Sequence, residues 1–384
     1  MKTIAFTAQP FGFGPVSKIL TIADQLGDVR KIFFGTGVAY DLAKLHAFDE
    51  VHELNLSDET AIRGLLQHCD LCLNAMWFPL GSLVKSVGCP YYLVDSLLYF
   101  WPSKPAGVED ADRYFCQNFF TPIEEKVKDY GLTNATIIGP IIDESIRCAE
   151  KKDQVVVNFG GLENPYVEIG KNSNYPFAML KILLPLLQQR FRHILVTGRE
   201  RVMALCRQTF TAYPSVSFSM LNHREMAKEL AQSKVLLTAP GIQSFFDAAN
   251  NVPVFMLPPQ NNSNARNLDL LITQGVIRHY LRWNDLYDFP LHGQTTQDEE
   301  WEISIILDCI RRFENSPQDQ WILRDRIAYF LADESTWPQL IETQVAAVKR
   351  LGPSGARTII DAISAILYAE KRCDTGVYQP TFSI

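Results

Sequence analysis

The chain has 384 residues, enough for two domains of ordinary size. Its 47% hydrophobic and 21% charged residues are the balance of a soluble globular protein, and no apolar run approaches the roughly 20 residues that span a bilayer. A net charge of −7 provides no global basic field, which argues against nucleic acid or an anionic membrane as partner.

The opening run Met1-Lys2-Thr3-Ile4-Ala5-Phe6-Thr7 is too short for a secretory signal and leads straight into a glycine turn. It reads as the first core strand of a cytoplasmic protein. Further strands are expected at 31–34, 51–54, 71–75, 91–94, 114–118 and 136–138, with a helix at 16–26. Strands alternating with helices predict a mostly parallel, doubly wound α/β sheet, closing near residue 142. The charged segment Asp143 to Asp153 reads as a linker. A second set follows, with strands at 155–159, 193–197, 217–220, 235–238 and 254–257. Helices are expected between them at 177–190, 201–212, 224–232 and 243–250. The second domain is thus bounded at 154–350, helical from Glu299 on. A last amphipathic helix is expected over 354–370.

Eight cysteines are scattered without framework spacing. Cys116, Cys148, Cys206 and Cys309 sit in apolar segments and read as buried thiols. Cys69-x-x-Cys72, preceded by His68, has no second ligand pair, and a metal site is not expected.

Ligands of doubly wound sheets bind at the carboxyl ends of the strands, so the residues there are the candidates. After the first strand comes Phe11-Gly12-Phe13-Gly14, where Gly-x-Gly lets the backbone turn and approach a ligand before a helix opens. The third glycine of the dinucleotide fingerprint is missing, which disfavours an oxidoreductase. The strand at 91–94 ends in Asp95-Ser96, followed by the aromatic run Tyr99-Phe100-Trp101. A strand-end carboxylate beside aromatics suits a pocket for a flat ring, with Asp95 as its base or anchor; Trp77 reads as a residue of the same wall or, more readily, as core. The competing reading of Asp95 is a helix cap. In the second half, Gly160-Gly161, Gly198-Arg199 and Leu221-Asn222-His223 end successive strands. Arg199 reads equally as a phosphate partner or a solvated charge, and His223 as a helix-start residue rather than a catalyst.

The stretch 236–268 carries the most information. An apolar strand runs through Pro240-Gly241 into a helix carrying Ile242, Gln243, Ser244 and, further in, Asp247. A bare helix N-terminus at the carboxyl end of a parallel strand suits a phosphate. Gly241 leaves the backbone open, and Asp247 stands where a carboxylate could take two ribose hydroxyls. Together they suggest a nucleoside diphosphate more than a bare anion.

This stretch resembles the donor-site signature of GT-B nucleotide-sugar glycosyltransferases, through Gly241, Ser244, Asp247, Pro253 and Pro259. It departs from the signature at Ala239, where many members have His, and at Asp247, shorter than the usual Glu. The sugar-contacting loop reads Gln260-Asn261-Asn262-Ser263-Asn264, without the common Asp-Gln pair. Phe13 stands where many members have a His that serves as base. The resemblance implies two facing Rossmann-like domains with a cleft between them and a last helix crossing back onto the first domain. It implies an inverting, metal-independent enzyme with no cofactor beyond a UDP-sugar co-substrate. The donor would be held by Gly160, Gly161, Gly198, Arg199, Leu221, Asn222, Gly241, Ile242, Gln243, Ser244, Asp247, Asn261 and Asn264. A small-molecule acceptor would lie against Phe11, Gly12, Phe13, Gly14, Trp77 and Ser96, with Asp95 catalytic. The segments 11–20 and Val94-Asp95-Ser96-Leu97 further resemble cytosylglucuronate synthases of nucleoside-antibiotic pathways, which would imply UDP-glucuronate, a cytosine-type base and an N-glycoside product. A nucleotide-sugar hydrolase or epimerase on the same fold, or an inactive partner subunit, remains an alternative, and a homo-oligomer is left open.

Overall fold

The computed structural model describes residues 1–142, 150–291 and 298–368. Among the described residues, twelve strands form two all-parallel sheets. The first holds β1 (Lys2–Ala8), β2 (Val29–Gly35), β3 (Glu50–Glu53), β4 (Leu71–Ala75), β5 (Tyr91–Asp95), β6 (Arg113–Gln117) and β7 (Ala135–Ile138) in the order β3-β2-β1-β4-β5-β6-β7. The second holds β8 (Gln154–Asn158), β9 (His193–Thr197), β10 (Val216–Ser219), β11 (Val235–Thr238) and β12 (Val254–Met256) in the order β10-β9-β8-β11-β12. The order reverses between β1 and β4 in one sheet and between β8 and β11 in the other, and a crevice opens at each such switch point. Central strands such as β1 and β8 are apolar through their middles because helices cover both faces.

Every expected strand is present within two residues of its expected bounds. So are the expected helices, as Gly14–Gln25, Tyr175–Leu187, Glu200–Thr209, His223–Gln232 and Ile242–Ala249, with their ends displaced by up to three residues. The polar loop after β12 is shorter than expected. Asn261 accepts a hydrogen bond from the Asn264 amide at 2.8 Å and so starts a helix, Asn262–Thr273, within it. Of the expected linker, residues 143–149 lie outside the described residues, as does Cys148. No described helix is long and apolar enough to cross a membrane.

The last helix, Gly355–Tyr368, does cross back. Ile359, Ile360, Ile363 and Leu367 pack into the first sheet's core with Ile4, Phe6, Val16 and Leu20. Residues 369 and 370 of its expected span are outside the described set. The crossing is possible because two glycine backbones touch. The Gly355 amide donates to the Pro140 carbonyl at 2.8 Å, and a Cβ on Gly139 would fall onto the Pro353 carbonyl oxygen. Gly139→Ala is therefore expected to destabilise the fold by about 1–3 kcal/mol, the usual cost of overpacking. A denaturant midpoint equal to that of the native protein would contradict this close approach.

Candidate active site

The two sheets face each other across a cavity of about 520 Å³ lined from both domains. The second domain supplies the helix Ile242–Ala249. Gly241 precedes it with an extended backbone and no side-chain cap, and the first turn carries no acidic residue. Its opening N–H groups therefore present a positive dipole end at the cavity wall. Asp247, on the same wall, accepts a hydrogen bond from Gln243 Nε2 at 2.8 Å.

Asn158, which was not anticipated, organises this end of the sheet. Its Oδ1 accepts from the Gly160 amide and the Thr197 hydroxyl, both at 3.0 Å, and its Nδ2 donates to Ser244 Oγ at 2.8 Å. One buried amide thus ties the Gly160-Gly161 turn, the end of β9 and the Gly241 helix together. The signal was present in the sequence as a polar residue closing the apolar run Val155-Val156-Val157 just before two glycines.

Three cavity-lining amides, Gln243, Gln260 and Asn264, each bury a carbonyl oxygen that has no partner among the described residues. Their nitrogens are committed to Ile141 and Asp247, to Phe159, and to Pro240 respectively, which sets the orientation of each oxygen. Buried acceptors of this kind call for a donor, and none of the three oxygens is itself open to solvent.

The first domain supplies an aromatic wall of Phe11, Phe13, Phe78, Phe100 and Trp101. Trp101 packs edge-on against Phe78 and Phe100, at 5.6 and 5.3 Å between ring centroids. Of the residues expected at the ligand, Phe11 to Gly14, Ser96, Gly160, Gly161, Gly198, Leu221, Gly241 to Ser244, Asp247, Asn261 and Asn264 all line this one cavity.

Four of the expected residues are not on the wall, each for a packing reason. Asp95 is fully buried inside the first domain. Its Oδ1 accepts from the Leu97 amide at 2.6 Å, and its Oδ2 accepts from Trp101 Nε1 at 2.9 Å and Tyr114 Oη at 2.6 Å. Burial pushes its carboxyl above the usual range, against these hydrogen bonds and the Lys18 charge, which favour the ionised form. Asp95 therefore holds Trp101 and the 96–101 loop from behind instead of facing the cavity. Trp77 is buried against Phe34, and its backbone amide donates to Asn74 Oδ1 at 3.1 Å. Asn222 is consumed in a reciprocal cap with Glu225, both bonds at 2.9 Å. Arg199 bridges the domains, donating to Asp41 at 2.7 and 3.0 Å and to Glu163 at 2.7 Å.

His223 is the first residue of its helix, as expected, yet it is buried on the cavity wall. The Thr21 hydroxyl donates to the Ser17 carbonyl at 2.9 Å, so His223 Nε2 is the donor in its 3.0 Å contact with Thr21 Oγ1. Its Nδ1 lies 3.8 Å from Asp247 Oδ2. The domains also meet backbone to backbone, since a Cβ on Gly161 would lie 2.6 Å from Gly12 Cα.

No protein-family model and no curated protein matches the chain. Solved structures do. UGT89C1 of Arabidopsis thaliana complexed with UDP is similar with a TM-score of 0.52 and 12% identity, over 95% of this chain and 99% of that one. UGT73P12 of Glycyrrhiza uralensis, complexed with glycyrrhetinic acid 3-O-monoglucuronide, is similar with a TM-score of 0.50 and 10% identity, over 97% and 98%. The chain has the GT-B fold. At such identities the likeness speaks for the fold, and the chemistry has to be argued from the cavity.

Proposed function

We propose that the protein is an inverting, metal-independent glycosyltransferase that moves a sugar from a UDP-sugar to a small planar acceptor. The observation that carries this reading is one cavity with two unlike walls. On one side stand an uncapped helix terminus and, on the same helix, Asp247. On the other stands an aromatic wall that suits a flat ring. The diphosphate lies on the Gly241 terminus and the ribose hydroxyls on Asp247. The polar side chains of Gln260, Asn261 and Asn264, which line the cavity beside that terminus, stand nearest the sugar. An acceptor on the first domain attacks the anomeric carbon from the side opposite the diphosphate, which inverts the centre; the bond to the diphosphate oxygen breaks, and the acceptor's proton passes to solvent. Oriented backbone donors and the helix dipole meet the charge of the leaving diphosphate. UDP bound to a protein of similar fold agrees with the donor class. The segments 11–20 and 94–97 favour UDP-glucuronate as donor and a cytosine-type base as acceptor.

The test is UDP release from UDP-glucose and UDP-glucuronate, with and without cytosine, after a thermal-shift screen of nucleotides. A shift with UDP and release that depends on the acceptor are expected. Equal release without acceptor would replace the transferase with a hydrolase. No shift with any nucleoside diphosphate would overturn the nucleotide reading altogether.

We assign Asp95 a positioning role in this reaction. Asp95→Asn puts an NH₂ or a poorer acceptor opposite the Trp101 and Tyr114 donors, so a stability loss of about 1–3 kcal/mol is expected. Acceptor KM should rise while uridine affinity stays unchanged. A collapse of kcat at unchanged stability and KM would restore the catalytic base role instead.

A further inference from the structure

The diphosphate site of the proposed reaction draws on the second domain. The first domain faces it with a matching device. The helix Gly14–Gln25 also begins without a side-chain cap and without an acid in its first turn. Its amino end opens on the same cavity, so two positive helix termini converge there from opposite domains. Lys18 lies one turn in. It is only 1% exposed, and it lines the cavity. Side chains in a helix lean toward the amino end, and Lys18 Nζ turns back to donate to the Gly14 carbonyl at 3.2 Å. An ammonium carries three donors, and this bond uses one.

We propose that Lys18 and the amino end of its helix form the first domain's half of the diphosphate site, clasping the leaving group between two helix termini. The inference rests on the UDP-sugar reading and adds to it a contact from the opposite domain. The direct approach of Gly161 to Gly12 holds the two halves of the cavity together. As the bond from the anomeric carbon to the diphosphate oxygen breaks, the electron pair leaves with UDP. Lys18 keeps its proton and faces the growing negative charge in a site shielded from water, where such a charge acts strongly.

The groups around Lys18 fit a charge held for a ligand. Asp95 reaches it from β5 and Asp247 from the Gly241 helix, while His223 stands beside Asp247 on the same wall. Burial nevertheless lowers the Lys18 ammonium to about 8, against the pull of Asp247 and Asp95. A bound dianion would raise it again. Binding of a diphosphate should therefore be strongest below that value and weaken as pH rises through it.

Calorimetry with UDP and uridine tests the proposal. In Lys18→Met, UDP affinity is expected to fall at least tenfold with uridine affinity unchanged, and Lys18→Arg should stay within threefold of native at pH 7. Between pH 7 and 9 the native protein should lose UDP affinity. A phosphate monoester has finished titrating by then, at about 6. Lys18→Arg should be flat over the same range, because guanidinium keeps its proton. Equal weakening of UDP and uridine in Lys18→Met, or parallel pH curves for native protein and Lys18→Arg, would overturn the proposal. If Lys18→Met does not fold, the pH comparison decides alone. Failure of the native protein to bind UDP at all would overturn the UDP-sugar reading and this inference with it.

Discussion

Gly241→Val is expected to abolish UDP binding and leave the protein folded. Gly241 has φ −89° and ψ 138°, an extended conformation that suits valine, so the backbone is not strained. A Cβ there would lie 3.3 Å from Ser244 Oγ and 3.8 Å from Ser244 Cβ. The branched methyl groups then extend over the N–H groups of the first turn, where a phosphate has to approach. Charge-assisted hydrogen bonds contribute roughly 1.5–3 kcal/mol each, so losing two costs at least about a hundredfold in affinity. The stability change should stay near 1 kcal/mol, the difference between glycine and a β-branched residue at a helix cap. Calorimetry showing native UDP affinity in a folded variant would reject the Gly241 terminus as the diphosphate site.

Asp247→Ala comes second. If its carboxylate holds the ribose hydroxyls, its loss should weaken UDP by about ten- to over a hundredfold, at the rate of tenfold per ~1.4 kcal/mol. The same side chain accepts from Gln243 and pulls on Lys18, so the alanine variant disturbs the cavity as well as the ligand. The native protein supplies a cleaner comparison. It should bind 2′-deoxy-UDP more weakly than UDP, and equal affinities would reject the ribose assignment whatever the variant does. Asp247→Asn should lie between native and alanine, because it keeps the shape and loses the charge.

Much of the fold was legible along the chain. Buried parallel strands read as short apolar runs, and their helices as apolar positions at helical spacing, so all twelve strands were placed within two residues. The Gly241 terminus was legible for the same reason, since a strand, a Pro-Gly turn and a helix form a local unit whose backbone donors follow from geometry. The positions of Gly12, Gly160 and Gly161 at the cavity followed from their places at strand ends.

Side-chain direction at those same strand ends was not legible. Asp95 and Ser96 are adjacent, yet Ser96 lines the cavity and Asp95 points into the domain toward Tyr114, 19 positions later. Arg199 reads as a charge after a strand, but its partner Asp41 is 158 positions away in the other domain. Lys18 reads as a charged residue near the start of a largely apolar helix. Packing of its helix against the first sheet, the last helix and the Gly241 helix makes it a buried cation on the cavity wall. The sequence by itself determined the elements, the sheet type and the strand ends that meet the cleft, because these follow from local periodicity and backbone geometry. The tertiary structure alone decided which of those residues reach the cavity, because that depends on partners brought together by packing across the whole chain.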